Sequence, residues 1–205
     1  MNEVEQSTLN LILSAAMQEF LEKGFKSASL RNIVKIAGVT TGAFYGYYNS
    51  KEALFEALVG KHYYYFIERF SRAQQEFADL PPDEQPNHIS STSGDCMHEL
   101  LLYAYEHMNE FKLILCNSEG TQFSNLIDEM VQIEIKATND YLKVLGMIGN
   151  SASQIDDQLK HMLITGMYNT YFEIIIHDMP LEKAVEYLKN MQAFYTAGWM
   201  KIMGQ

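Results

Sequence analysis

Three hydroxyl residues, Ser29, Thr40 and Ser50, each stand just before a run with helical spacing. No other feature constrains the fold of this chain as tightly. A Ser or Thr in that position accepts a hydrogen bond from a first-turn amide and sets where a helix begins. Ahead of them, Leu9, Ile12, Leu13, Ala16 and Phe20 recur at three-to-four spacing, which predicts a first helix over residues 5–23. Glu22-Lys23-Gly24 ends it, with a basic last turn and then a residue that tolerates positive φ. Ser29 opens a second, short helix that Gly38 ends. Thr40 opens a third over 41–47. Ser50 opens a fourth from Lys51 to Phe77. Four helix starts in fifty residues make a compact and specific pattern, with two short helices held between two longer ones.

The segment Ala37-Gly38-Val39-Thr40 joins the second helix to the third. A small residue lets two helices approach, a glycine makes the tight turn, an apolar residue plugs the corner, and a hydroxyl caps the third helix. That combination reads as a helix-turn-helix. Phe44 and Tyr48, four apart, are expected to face inward.

Downstream, Pro81, Pro82, Pro86 and the run Ser90 to Gly94 predict a linker or long loop over 79–94. The helical pattern then resumes near 95–109, 110–117, 123–147, 154–178 and 181–203. Gly149-Asn150-Ser151 and Asp178-Met179-Pro180 supply breaks. The expected fold is all-α, with about nine helices: a three-helix head over 1–50 and a larger antiparallel body over 51–205.

Charge is divided in the same way. Residues 1–51 hold five basic and four acidic side chains, whereas 52–205 hold ten and 22. A nearly neutral head on an acidic body meets a polyanion by its head only. No apolar run is long enough to span a bilayer. The acidic opening lacks a signal-peptide pattern, and a cytoplasmic protein with no membrane partner is expected. Cys96 and Cys116 form no metal or disulfide spacing and are expected to be small buried hydrophobes. His161 and His177 are likewise expected in the core. No phosphate-binding glycine loop, nucleophile elbow or Glu-x-x-His pair occurs, so no enzyme, cofactor or metal is expected.

The stretch from Gly24-Phe25 through Ser29-Leu30-Arg31-Asn32-Ile33-Val34-Lys35-Ile36-Ala37-Gly38-Val39-Thr40-Thr41-Gly42-Ala43-Phe44-Tyr45-Gly46-Tyr47-Tyr48-Asn49-Ser50-Lys51 to Phe55 resembles the DNA-binding head of TetR-type (TetR/AcrR) transcriptional regulators. The resemblance covers residues 8–58. It implies a homodimeric, ligand-responsive repressor that leaves operator DNA when a small effector binds. It also implies roles. Thr41, Gly42 and Ala43 open the recognition helix toward the major groove. Arg31 reaches a base edge or phosphate. Ser29, Thr40, Tyr45 and Tyr47 hold phosphates by their hydroxyls, and Lys51 holds one at the start of helix four. The recognition segment 40–48 carries no Lys or Arg, so the salt dependence of binding should be shallow.

The body is expected to dimerise through its last two helices, which are apolar beyond one stripe. Its tyrosines and methionines suit an effector pocket, with Tyr103, His107, Tyr141, Tyr168 and Phe172 as candidate lining. The alternative reading is a helical small-molecule-binding or adaptor protein whose head does not bind DNA.

Overall fold

A computed structural model describes residues 3–149 and 155–204, with the side chains of residues 3, 4 and 90–92 outside that description. The expected break at Asn150-Ser151 lies outside the described residues, although Gly149 just before it has φ 81. Among the described residues there are nine α-helices, one short 3-10 turn and no strand. The helices are α1 (Glu3–Ser27), α2 (Leu30–Ile36), α3 (Thr41–Tyr45), α4 (Lys51–Ala78), α5 (Gln85–Glu106), α6 (Met108–Cys116), α7 (Leu126–Met147), α8 (Asp157–Ile176) and α9 (Leu181–Met203). The 3-10 turn is Gln122–Asn125.

All three expected caps are made. Ser29 Oγ accepts from the Asn32 amide at 3.4 Å, Thr40 Oγ1 from Ala43 at 3.1 Å, and Ser50 Oγ from Ala53 at 3.0 Å. Helix α1 passes Gly24, where φ is 71 and ψ 163, and takes one further turn before stopping. Gly38, at φ 67, makes the turn between α2 and α3. Helix α3 is shorter than expected because Gly46 already serves as its C-cap, where a residue without Cβ offers the helix little support.

The largest departure is at 79–94, which is not a loop throughout. Helix α5 begins at Gln85, ten residues before the expected start. Pro86 sits in the first turn, where its missing N–H removes no intrahelical bond. Gln85 is buried, and its Nε2 donates to the carbonyls of Ala78 at 3.3 Å and Leu80 at 3.0 Å. Those bonds satisfy carbonyls left over at the end of α4 and anchor the start of α5. Tertiary anchoring here overrides the weak helix preference of a Ser- and Pro-rich stretch.

The chain forms two compact units. The first comprises residues 1–64 and 107–125, and the second 65–106 and 126–205. Helix α4 contributes to both. In the first unit Phe20, Phe25 and Phe55 form the centre, with ring centroids 5.1 to 6.0 Å apart. Phe123 of the 3-10 turn packs on Phe55 and Tyr63. In the second unit Phe66 packs on Phe172, and Phe70 on Tyr168. Tyr171 is buried whole, and its hydroxyl donates to the Met97 carbonyl at 3.0 Å, so the phenol is not left unpaired in the core.

Three single-residue expectations are corrected. Cys96 is buried but Cys116 is exposed. His161 and His177 are exposed as well, and His177 pairs with Glu173 at 2.7 Å. His161 lies on an outward face of α8, Cys116 is the last residue of α6, and His177 is the C-cap just past the end of α8.

Candidate nucleic-acid interface and effector cavity

Helix α3 is a five-residue helix with one inward residue. Phe44 is buried, while Thr41, Gly42, Ala43 and Tyr45 face outward. Phe44 anchors the helix through ring contacts with Tyr45 at 5.3 Å and the half-buried Tyr48 at 6.2 Å. Burial raises the Tyr48 hydroxyl above its ordinary pKa. Tyr45 is 56% exposed, which is a large solvated ring for so small a helix. Ser29, Arg31 and Thr40 are also exposed. The outward face of α3 therefore presents a hydroxyl, a bare backbone position, a methyl and a phenol.

Two of the expected phosphate contacts are occupied within the protein. Tyr47 donates its hydroxyl to the Glu5 carbonyl at 3.2 Å. Lys51 Nζ donates to the carbonyls of Phe25 at 2.7 Å, Ala28 at 3.2 Å and Lys26 at 3.3 Å. The same ammonium sits 4.5 Å from the centroid of the Phe25 ring. A lysine has three N–H donors, and these three carbonyls take them all. Lys51 thus closes the frayed end of α1 where Gly24 breaks it.

Glu19 is the residue that sequence reasoning missed. Its side chain is 1% exposed, yet it is a carboxylate. It accepts from Lys23 Nζ at 2.9 and 3.0 Å, from the Ser29 amide at 3.1 Å and from Asn32 Nδ2 at 2.5 Å. Burial alone raises such a carboxyl. The Lys23, Ser29 and Asn32 bonds outweigh it and hold Glu19 below the usual carboxylate range. Glu19 therefore ties α1 to the N-cap and first turn of α2. The signal was a charged residue adjoining the apolar stripe of α1, next to Phe20.

The same unit carries a histidine pair. His62 is buried and its ring centroid lies 4.2 Å from that of His107. Burial, with His107 and Lys61 nearby, pushes His62 down to about 4. His62, His107 and Glu110 bring one ligand atom each within 4.8 Å of one another, and are the side chains that could hold a metal ion among the described residues.

The second unit contains a cavity of about 150 Å³ between α4, α5, α7, α8 and α9. Two of the five expected pocket residues line it, Tyr141 and Tyr168. The other three are elsewhere. Phe172 is fully buried against Phe66 and Tyr171. Tyr103 packs on Tyr65 at 4.2 Å. His107 belongs to the first unit, beside His62. Helical spacing gives the face a side chain occupies, but not which faces enclose space. Phe70, Phe77, Met167 and Trp199 line the cavity. So does Glu134, whose Oε2 accepts from Gln74 at 2.7 Å and Tyr168 at 2.8 Å.

No described helix is long and apolar enough to cross a membrane. Comparison with known proteins bears on the head first. The family model described as bacterial regulatory proteins, tetR family, matches residues 12–58. The HTH-type transcriptional repressor NemR of Escherichia coli K12 is 28% identical over 107 residues. That is 52% of this chain and 46% of NemR, so the match spans less than half of that relative. The uncharacterised HTH-type transcriptional regulator YvkB of Bacillus subtilis 168 is 26% identical over 86% of this chain and 90% of its own length. A crystal structure of a tetR-family bacterial regulatory protein from Rhodococcus RHA1 superposes with TM-score 0.56 and 14% identity. It covers 100% of this chain and 98% of its own, and shares the fold. The head, residues 12–58, thus matches the family model of tetR-family bacterial regulatory proteins, and the all-helical fold along the chain is similar to that of solved tetR-family structures.

Proposed function

We propose that the protein is a DNA-binding transcriptional regulator, a homodimeric repressor released from its operator by a small effector, acting in the cytoplasm and without chemistry of its own. The observation that carries this reading is α3: a capped helix held by one buried phenylalanine, with Thr41, Gly42, Ala43 and Tyr45 all turned outward. Side chains at the start of a recognition helix are the ones that reach base edges in the major groove. Thr41 can exchange a hydrogen bond with a base, and Ala43 can touch a thymine methyl. Ser29, Arg31, Thr40 and Tyr45 flank them as backbone contacts. Tyr47 and Lys51 take a different part from the phosphate contacts that the family resemblance implies. They hold the head together from within, Tyr47 at the Glu5 carbonyl and Lys51 at the end of α1.

The functional boundary is drawn at residues 50 and 51, with DNA recognition before it and effector binding and dimerisation after it. Dimerisation through α8 and α9 is supported by Leu159, Met162, Leu181, Tyr187 and Phe194. All are large apolar side chains left exposed on these two helices, with Met162 at 69% and Phe194 at 73%. Where such side chains form one contiguous patch they mark a partner surface. Two-fold symmetry also suits two operator half-sites. The cavity in the second unit is the effector site of this reading. Helix α4 runs from the head into the effector-binding part and is the lever by which binding changes the separation of the heads.

The test is fluorescence anisotropy of the purified protein on DNA from upstream of its own gene, across a salt series, with random DNA as control. Preferential binding of a dimer with a shallow salt slope is the expected result. Equal weak binding to both, persisting with a selected randomised pool, refutes the DNA-binding reading.

A further inference from the structure

We infer that the cavity of the second unit takes a small organic ammonium ion, with its charge against Glu134 and its apolar part against the aromatic wall. The inference rests on the reading of that cavity as the effector site and goes further by naming the ligand's charge and size.

Three observations converge. The first is the wall. Phe70, Phe77, Tyr141, Tyr168 and Trp199 line one concave space, and Phe70 and Phe77 pack edge-on to Tyr168 and Tyr141 at 5.6 and 5.4 Å. Aromatic faces carry negative potential, and a cage of them is how proteins recognise quaternary ammonium groups. The second is Glu134. It is a carboxylate in that wall, and its two hydrogen-bond donors, Gln74 and Tyr168, are both neutral. Among the described residues no Lys, Arg or His forms an ion pair with it. Burial raises its pKa, and the bonds from Tyr168 and Gln74 oppose that rise. A carboxylate placed in apolar surroundings needs a compensating cation. The described residues supply none, and a ligand can. The third is size. A cavity of about 150 Å³ is the volume that accommodates a single benzene ring in an engineered protein core. It suits one ring or a short branched alkyl group with an ammonium head. An anionic ligand would set two like charges together beside the aromatic wall.

The test uses an isosteric pair, benzyltrimethylammonium and neopentylbenzene, which differ by one atom and one charge. Trp199 is the chain's one tryptophan and lines the cavity, so its emission reports binding directly. Wild-type protein is expected to bind the cation at least about tenfold more tightly than the neutral isostere. Glu134→Gln is expected to remove most of that preference, while neopentylbenzene stays within about twofold. The anion 3-phenylpropanoate is expected not to bind. Equal affinity of wild-type protein for the two isosteres overturns the charge assignment and leaves the cavity reading intact. Failure of both to perturb Trp199 in the folded protein overturns both. The wild-type comparison requires no variant to fold.

Discussion

Replacing Glu19 by alanine removes the one charged group buried between α1 and α2, and its partners set the cost. Its bond to Lys23 joins residues four apart on one helix, with the lysine 38% exposed. Such pairs contribute about 0.3–0.5 kcal/mol. The bonds from the Ser29 amide and Asn32 Nδ2 are different in kind, because their acceptor is ionised and buried. Each is worth about 1.5–3 kcal/mol, part of which water recovers when it reaches the freed donors. Glu19→Ala is therefore expected to cost about 2–4 kcal/mol, and Lys23→Ala about 1, more than for an exposed pair because the carboxylate it leaves behind is buried. Urea unfolding followed by circular dichroism gives both values. Because α2 loses its anchor, operator affinity should also fall, although Glu19 is buried away from any DNA surface. The pH dependence has a definite sign. The folded pKa is lowered, so the stabilisation is fully present above the unfolded carboxylate pKa and is lost as pH falls below it. If Glu19→Ala costs no more than Lys23→Ala, the carboxylate is an ordinary surface ion pair and its positioning role is wrong.

The same geometry sets other outcomes. His62 is held at about 4, below its unfolded value. The unfolded chain therefore takes up the proton first, and stability falls as pH drops from about 6.5 toward 4. Wild-type protein should lose about 1–2 kcal/mol more than His62→Leu between pH 7.5 and 5, measured by paired urea titrations. Tyr45→Ala should weaken operator binding about tenfold by anisotropy, while loss of its edge contact with Phe44 lowers the melting temperature by only a few degrees. Lys51→Ala should lower the melting temperature by several degrees, since three carbonyl bonds and the Phe25 contact disappear together. Phe194→Glu places a charge on the exposed apolar face of α9 and should convert a dimer to a monomer in light scattering, with helicity retained.

The helix-turn-helix was legible in the chain because its determinants are local. A Ser or Thr caps the next helix within three residues, and Gly38 permits its own φ, so Ser29, Thr40, Ser50 and Gly38 could be read one at a time. The helical body was legible for a related reason, since spacing of three and four shows on which face a side chain lies. The start of α5 was not. It depends on Gln85 reaching carbonyls at the end of α4, a contact that Ser and Pro propensities do not encode. The roles of Lys51 and Glu19 were hidden for the same cause. Lys51 reads as an exposed cation until the carbonyls around Phe25 surround it, 23 to 26 residues away in sequence.

The cavity is the clearest case. Tyr141 and Phe172 look alike as aromatic residues on apolar helices, yet one lines open space and the other fills it. Glu134 reads as one more acidic residue among 26 Asp and Glu, and only the approach of Gln74 and Tyr168 makes it a carboxylate in an aromatic wall. The sequence by itself determined the order of the helices and the caps of α2, α3 and α4, because those depend on torsions and hydrogen bonds within a few residues. The tertiary structure decided which charges are satisfied and where space is left, because both depend on groups brought together from distant parts of the chain.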